Sequence, residues 1–381
     1  MKRIQYRQAS RFMWRSLALA SLLWLGIGQG GAPEPVPIGE SAGAETPRKR
    51  TAAYVYDRPS LTFSDADADN LDQLNFSFAL LKKGEVNGDH WQSIGAFKAY
   101  IAKHPHILPV LSIGGWGADG FSQAASTEEG RDRFVESTLK LMQKHGFLGV
   151  DIDWEYPGSS AAGIASSAKD KQNYTLLLKA LREGLDALAR EDGRNRMLAI
   201  AIGADSSLIK NIDCQAVGAI VDQVNLMTYD LQTPKVASHH TPLYSVSDRY
   251  PLSADSAVRA FAAAGIPKSK IMLGAAFYGR VYQLKSATST PVFAEAKDNG
   301  AKSVTYKNIL ANSRWMHAFD DEAKAPYATD GTAFLTYDNP ASIRHKGAYV
   351  SQNGLMGLMC WEYGGDANGE LLASMRQGLS R

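Results

Sequence analysis

The sequence is poor in several features that would mark a class of protein. Its 381 residues include only two cysteines, Cys214 and Cys360, so its stability depends on a core rather than on bridges. Both adjoin apolar runs, which favours buried thiols, with a disulfide between them as the alternative. No internal repeat is visible, and the apolar run at residues 17–27 is far shorter than the ~20 residues that a membrane span needs. With 45% hydrophobic and 21% charged residues, the chain is neither disordered nor collagen-like.

The first 30 residues have the layout of a secretory signal peptide. Basic residues precede the apolar run, and small residues follow it. We therefore expect residues 1–30 to be removed and the protein to be secreted, with an uncleaved signal anchor as the alternative. No cysteine stands near the expected cleavage site, which argues against a lipoprotein anchor. Residues 31–50 are rich in Pro, Gly, Ser and Ala without an apolar period, and they predict a flexible linker.

The charge distribution argues against a nucleic-acid partner. The first 30 residues hold five of the 41 basic residues and none of the 39 acidic ones, so the remainder of the chain is net acidic. That remainder contains no block of Lys and Arg of the kind that binds nucleic acid. We expect a monomer that has no membrane contact after signal removal and uses no cofactor or metal.

Short apolar runs recur through residues 51–381 and predict strands. They alternate with helical patterns, as at residues 128–145 and 171–190, where apolar residues recur at spacings of three and four. Eight such units predict an α/β fold, a (β/α)8 barrel with a parallel sheet. The stretch at about 281–350 is too long for a simple connection and predicts a small α+β insertion between strands seven and eight. The candidate strands are residues 53–56, 74–80, 107–113, 149–153, 197–202, 224–229, 271–278 and 355–361.

The stretch FLGVDIDWEYP at residues 147–157 carries the strongest chemical signal. Side chains alternate along a strand, so Asp151, Asp153 and Glu155 share one face, while the residues between them and Leu148 form an apolar face. An apolar row suits a strand packed against outer helices. The carboxylates are therefore expected to face the lumen at the carboxyl-terminal mouth, where barrel enzymes keep their active sites.

Three neighbouring carboxylates favour acid–base chemistry. Like charges raise the pKa of at least one member, so a proton stays available near neutral pH, and a protonated Glu155 would be a general acid for glycosidic bond cleavage. A solvated acidic turn does not fit the apolar opposite face, and a metal site lacks an accompanying His. The seventh strand ends in LGAAFYGR and brings no carboxylate, so the usual nucleophile of a retaining glycosidase is missing.

On these motifs the chain resembles the chitinases of glycoside hydrolase family 18, in their bacterial form. Asp151, Asp153 and Glu155 match the DxDxE core of the family signature. SIGGW at 112–116 and MTYD at 227–230 resemble its third-strand and sixth-strand motifs, and Trp361 resembles its eighth-strand tryptophan. YGR at 278–280 and the insertion after it resemble the deep-cleft subgroup. The resemblance spans residues 54–366.

The resemblance implies a secreted chitinase that hydrolyses β-1,4-linked N-acetylglucosamine polymers with retention. The nucleophile would be the substrate's own N-acetyl group, which forms an oxazolinium ion. Glu155 would be the acid and later the base, Asp153 would orient the acetamide, and Asp151 would share a proton with Asp153. Tyr229 would hydrogen-bond the acetamide oxygen, and Asp230 would help to hold the distorted sugar.

The resemblance also implies a set of sugar contacts. Trp361 would lie below the reactive sugar and Trp116 on the leaving side. The other predicted substrate-binding residues are Tyr54, Ser112, Met227, Tyr278 and Arg280. Among them, Tyr54 and Ser112 would contact Asp151 from below, and Met227 would pack beneath the site.

Three positions need separate interpretation. Leu148 stands where the family signature begins with Asp, but it lies on the apolar face and leaves the acid–base set untouched. Lys235 or its neighbours stand where relatives often place an aromatic side chain, which predicts weaker affinity on the leaving side. His239 and His240 are interpreted as an isolated surface pair in a loop, not as ligands.

Two alternatives remain open at this point. One is a non-catalytic, lectin-like relative that binds chitin, which the presence of Glu155 disfavours. The other is a hydrolase of the same mechanism that acts on N-glycan cores or peptidoglycan. No wall-binding repeat supports peptidoglycan.

Overall fold

A computed structural model describes residues 48–380, so the predicted signal peptide and most of the predicted linker lie outside the described residues. The strands are β1 Arg50–Tyr56, β2 Gln73–Lys82, β3 Glu85–Asn87, β4 Leu108–Gly114, β5 Gly149–Asp153, β6 Met197–Gly203, β7 Gln223–Met227, β8 Ile271–Ala276, β9 Tyr278–Gln283, β10 Lys302–Thr305, β11 Met316–Asp320, β12 Ala325–Thr329, β13 Ala333–Tyr337 and β14 Gly357–Trp361. The α-helices are α1 Ile94–Lys103, α2 Phe121–Ser126, α3 Glu128–His145, α4 Asp170–Asp192, α5 Cys214–Ile220, α6 Ala254–Ala263, α7 Tyr306–Leu310, α8 Pro340–Gln352 and α9 Glu370–Leu379.

Eight of these strands form a closed parallel barrel. The order is β1, β2, β4, β5, β6, β7, β8 and β14, and the sheet closes because β1 pairs with both β2 and β14. Each candidate strand from the sequence overlaps one barrel strand, and β5 has the predicted bounds. The predicted (β/α)8 barrel is therefore confirmed.

Helices surround the barrel and bury its outer face. The side chain of Thr127 accepts a hydrogen bond from the N–H of Gly130 and begins α3, and Gly146 ends that helix with a left-handed φ of 80°. On α4, buried leucines such as Leu177 and Leu181 share one hydrophobic cluster with the outward side chains of β5. Cys214 and Cys360 are both buried and not bonded to each other. No helix within residues 48–380 has the length and apolar character needed to cross a membrane.

The barrel lumen holds polar side chains together with two small apolar clusters. Val110, Met197 and Ala199 pack together near the amino ends of their strands. A second cluster, which includes Met272 and Met359, extends to the carboxyl ends of the strands at Tyr229 and Trp361. Asp151 is in register with Ser112 and Ala199, two residues closer to the carboxyl end of β5 than Gly149, and its side chain faces the lumen.

The insertion is an antiparallel sheet of β9 to β13 in the order β10, β9, β13, β12 and β11. Its bounds differ from the predicted 281–350. The seventh barrel strand ends at Ala276 and β9 begins at Tyr278, so Tyr278 and Arg280 belong to the insertion and not to the barrel strand. At the other end, α8 packs against α9, β8 and β14 as a barrel helix.

A buried ion pair joins the insertion to the barrel. Lys346 on α8 lies 2.6 Å from a carboxylate oxygen of Asp338, and both side chains are fully buried. The same oxygen accepts hydrogen bonds from the N–H of Ala276 and the hydroxyl of Thr241. Asp338 therefore ties together the end of β8, the connection after β7, and the segment that returns from the insertion.

Lys346→Met should destabilise the protein strongly, because it leaves the Asp338 carboxylate buried without its cation. The expected loss is about 3–5 kcal/mol in the free energy of unfolding, measured by thermal or denaturant unfolding. The double variant Lys346→Met with Asp338→Asn removes both charges and should recover part of that loss. Equal stability of the single variant and the wild type would contradict this role.

Candidate active site

The carboxylates of β5 lie in the lumen with very different exposure. Asp151 is fully buried and Asp153 is 3% exposed, while Glu155 follows the strand at the mouth and is partly exposed. Val150 and Ile152 point to the outer hydrophobic cluster. Because side chains alternate along β5, its three acidic residues all face the lumen and lead from the barrel interior to the cleft.

Asp151 is held by three hydrogen-bond donors. It accepts hydrogen bonds from the hydroxyl of Tyr54 at 2.9 Å, the hydroxyl of Ser112 at 2.8 Å and the side-chain amide of Asn225 at 3.0 Å. Burial raises the pKa of Asp151, and these three hydrogen bonds oppose that effect. Ser112 is fully buried beneath the carboxylate and does not line the cleft, whereas Tyr54 reaches both.

Asp153 lacks such support. Its Oδ1 is buried and has no hydrogen-bond partner within residues 48–380. Burial raises its pKa well above the ordinary value, and the charges of Glu155 and Asp151 add to the effect. The ladder of Asp151, Asp153 and Glu155 therefore retains protons near neutral pH, and Asp153 is the member with an unused polar atom.

Glu155 lies where the ladder meets the cleft. Burial raises its pKa to about 7, a hydrogen bond with Tyr156 lowers it, and the charge of Asp230 raises it. A carboxyl group that titrates near 7 holds a proton that it can donate at neutral pH. This position and this pKa suit a general acid.

Tyr229 and Tyr278 form a wall across the mouth from β5. Each is 8% exposed, and their ring centroids are 6.1 Å apart. Gly274 leaves room for this wall, because a Cβ there would lie 3.0 Å from the ring of Tyr229. Burial raises the pKa of Tyr229 well above its ordinary value, so its hydroxyl stays protonated. Met227 is partly buried, packs against this group and also lines the cleft.

Asp230 and Arg280 form a paired contact at the same wall. Two nitrogens of Arg280 donate to the two carboxylate oxygens of Asp230, each at 2.7 Å. Asp230 has a left-handed φ of 57°. Burial would raise its pKa, but the two hydrogen bonds and the positive charge of Arg280 outweigh burial and hold the pKa below the ordinary range. Asp230 is therefore an ionised group that is already paired.

Aromatic side chains line the cleft, which has a volume of about 920 Å³. The ring of Trp361 stacks on Phe78 at 5.6 Å between centroids, with 19° between the planes. Trp116 is 65% exposed, and its ring lies 6.4 Å from Tyr156. Sugars present apolar faces that pack on such rings, so the cleft suits a carbohydrate chain.

Sequence reasoning missed four neighbours of these residues: Asn225, Phe78, Tyr156 and His240. Tyr156 directly follows Glu155 and could have been suspected. Asn225 and Phe78 lie on other strands, and only the register of the barrel brings them to the site. The interpretation of His239 and His240 as a surface pair is wrong, because they are 4% and 0% exposed. Lys235 is not among the residues that line the cleft.

The part of the chain that the structure describes contains no group of three or more His, Cys, Asp or Glu arranged to hold a metal ion. The cleft presents carboxyl, hydroxyl and aromatic side chains. A parallel barrel with a general acid at its carboxyl-terminal mouth and a carbohydrate-sized cleft has the layout of a glycoside hydrolase.

Comparison with known proteins gives the family. The family model described as "Glycosyl hydrolases family 18" matches residues 49–366, and the chain therefore belongs to glycosyl hydrolase family 18. It is 32% identical to Chitinase A1 of Niallia circulans over 77% of this chain and 46% of that protein. It is 31% identical to Chitotriosidase-1 of Mus musculus over 71% of this chain and 60% of that protein. The chain thus spans about half the length of these two relatives.

A solved structure of the same family extends over almost the whole described fold. It is a family 18 N-acetylglucosaminidase from Paenibacillus barengoltzii, with a TM-score of 0.83 and 37% identity. The alignment covers 87% of this chain and 99% of that one.

The titration of Glu155 should respond to Tyr156. Because the hydrogen bond with Tyr156 lowers the pKa of Glu155, Tyr156→Phe should raise that pKa above its wild-type value of about 7. The measurement is a pH titration followed by carbon NMR of glutamate-labelled protein, with the Glu155 signal identified by its loss in Glu155→Gln. A pKa near 4, or a downward shift in Tyr156→Phe, would contradict the assigned environment.

Proposed function

We propose that this chain hydrolyses β-1,4-linked N-acetylglucosamine polymers and that the substrate's own N-acetyl group is the nucleophile. Membership of family 18 and the names of the chitinase relatives support the reaction class. The observation that carries the proposal is that, within residues 48–380, the cleft offers a general acid, Glu155, while its other carboxylates either come from the same strand or already accept hydrogen bonds.

The carboxylates that line the cleft within residues 48–380 are Asp153, Glu155, Asp205 and Asp230. Asp230 is bound by both nitrogens of Arg280, and Asp205 accepts a hydrogen bond from the N–H of Ser207. Asp153 and Glu155 share one strand face. A retaining glycosidase of the ordinary kind needs two carboxyl groups on opposite sides of the bond, about 5–5.5 Å apart. Attack by the acetamide oxygen removes that requirement.

The reaction then proceeds in two displacements. The acetamide carbonyl oxygen bonds to the anomeric carbon as Glu155 donates its proton to the leaving glycosidic oxygen. Asp153 accepts a hydrogen bond from the acetamide N–H and stabilises the positive charge of the oxazolinium ion. The hydroxyl of Tyr229 donates a hydrogen bond to the acetamide oxygen. Glu155, now ionised, takes a proton from water, which attacks the anomeric carbon and releases the acetamide. Asp151 shares a proton with Asp153 and biases its orientation.

The aromatic residues position the chain for this reaction. Trp361 supports the reactive sugar from below, and Trp116 stacks on the leaving side. The paired Asp230 and Arg280 hold the sugar at the wall formed by Tyr229 and Tyr278. The energy of these contacts favours a bound geometry in which the acetamide lies within reach of the anomeric carbon.

Glu155→Gln should lower kcat by about a thousandfold, because it removes the proton donor at the leaving oxygen while keeping its shape. The assay is hydrolysis of chitin oligosaccharides, with Glu183→Gln, an exposed position on α4, as the control. Binding of the oligosaccharide should persist. If the wild type binds the oligosaccharide without turnover, the protein is lectin-like; if it cleaves only N-glycan cores or peptidoglycan, the substrate is misassigned.

A substrate that lacks the acetyl group at the reactive sugar should bind and fail to react. Oligosaccharides with a single free glucosamine unit test this, because the bond on the reducing side of that unit should survive. Two inversions at one carbon restore the configuration, so NMR of the first products from acetylated chains should show the β anomer. Efficient cleavage after glucosamine, or an initial α product, would contradict the mechanism.

We also propose that the protein is exported, on the charge and hydropathy layout of residues 1–30. Expression of the full sequence in a bacterial host should yield a protein outside the cytoplasm whose mass lacks about the first 30 residues. Intact mass and amino-terminal sequencing measure this. A full-length protein in the membrane fraction would indicate a signal anchor instead.

A further inference from the structure

His240 is a buried titratable side chain that the proposed mechanism leaves without a role. It is fully buried beside the insertion sheet. The backbone carbonyl oxygen of His240 accepts a hydrogen bond from the N–H of Leu231 at 2.9 Å. The backbone N–H of His240 donates a hydrogen bond to the hydroxyl of Thr336 on β13 at 3.1 Å. The backbone of His240 is therefore fixed between the connection after β7 and the insertion, and its ring has little freedom.

The ring of His240 contacts Asp230 through both the backbone and the side chain. Its Nδ1 accepts a hydrogen bond from the backbone N–H of Asp230 at 3.4 Å and lies 3.6 Å from a carboxylate oxygen of Asp230. Because the N–H of Asp230 points at Nδ1, we assign the acceptor role to Nδ1 and the proton of the neutral ring to Nε2. Within residues 48–380, Nε2 is buried and has no partner. The ring centroid lies 5.2 Å from that of Tyr278.

The contact between His240 and Asp230 lies at a strained point of the backbone beside the wall. Asp230 has a left-handed backbone, a conformation that costs free energy for a residue other than glycine and that needs outside support. His240 supplies this support through two hydrogen bonds. Its ring accepts one from the N–H of Asp230, and its carbonyl oxygen accepts the other from the N–H of Leu231. On the far side, Arg280 holds the carboxylate of Asp230.

We propose that His240 is a positioning residue: its neutral ring holds the backbone of Asp230 so that the carboxylate faces Arg280 in the cleft. Protonation at Nδ1 removes the acceptor and places a cation beside the carboxylate, which draws Asp230 away from Arg280. This inference rests on the proposed function, because it assigns His240 a part in sugar hydrolysis at the same site.

The charges around His240 set the direction of the pH dependence. It is faced by Asp230 from the connection after β7, by Tyr278 and Arg280 from β9, and by Asp338 after β13, whose charge Lys346 balances. Burial lowers the pKa of His240, Asp230 opposes this effect, and the charge of Arg280 lowers the pKa further. The ring is therefore neutral at neutral pH, and the supported geometry is lost as the pH falls through the pKa of the folded state.

Two substitutions of His240 distinguish the role of its hydrogen-bond acceptor, Nδ1, from the role of its titration. Asn carries an oxygen at the position of Nδ1 but does not titrate, whereas Leu removes the acceptor. His240→Leu should lower kcat/KM on chitin oligosaccharides about tenfold at pH 8, the size expected for a lost buried hydrogen bond, and His240→Asn should restore most of that loss. In His240→Asn the acid limb of the kcat/KM profile should also move to lower pH. His239→Asn is the matched control, because His239 is buried next in the chain but pairs with Asp320.

An acid limb in His240→Asn that coincides with the wild-type limb would overturn the proposal, as would equal activity of the Leu and Asn variants.

Nitrogen NMR of histidine-labelled protein gives an answer that does not depend on turnover. The signal lost in His240→Asn should show a neutral ring protonated on Nε2 at pH 7.5. A proton on Nδ1, or a cationic ring at that pH, would overturn the proposal even if hydrolysis is observed. Absence of hydrolysis by the wild type would instead contradict the proposed function.

Discussion

The site depends on the burial of like-charged carboxyl groups along one strand. Burial raises the pKa of all three groups, Asp151, Asp153 and Glu155, and the charges of Glu155 and Asp151 raise that of Asp153 further. The three groups differ because their partners differ. Asp151 has three donors, Asp153 has an unsatisfied oxygen, and Glu155 lies at the mouth with a pKa of about 7. The proton affinities of the three groups therefore differ: the pKa of Asp153 is raised well above its ordinary value, that of Glu155 is raised to about 7, and three hydrogen bonds oppose the rise at Asp151.

The opposite wall of the cleft depends on the insertion. Asp338 and its partner Lys346 anchor the end of β8 and the connection after β7, and Asp230 is held between His240 and Arg280. The barrel alone would supply the acid and Tyr229 but not Tyr278 or Arg280. Insertion and barrel therefore act as one unit in fixing where a sugar can lie against the carboxylates.

Much of this arrangement could be predicted from the sequence, because its signals are local. The alternation of acids and apolar residues defined β5, and the resemblance of single short motifs to those of family 18 pointed to Tyr229 and Trp361. Contacts between distant segments carry no such signal. Asn225 lies 74 residues from Asp151, and the buried position of His240 depends on a sheet whose register no pattern reveals. The insertion sheet begins at Tyr278 and not at about residue 281, because one apolar run continues from β8 into β9 across the break at Phe277.

The central claim is that the buried ladder stabilises a positive charge that the substrate itself develops. A thiazoline derivative of the N-acetylglucosamine disaccharide, in which the acetamide is already cyclised onto the anomeric carbon, tests it by calorimetric binding. The account predicts that the wild type binds this compound at least ~100-fold more tightly than the open disaccharide, as expected for an intermediate analogue, and that Asp153→Asn loses most of the difference. Equal affinity of the wild type for the two compounds would contradict it.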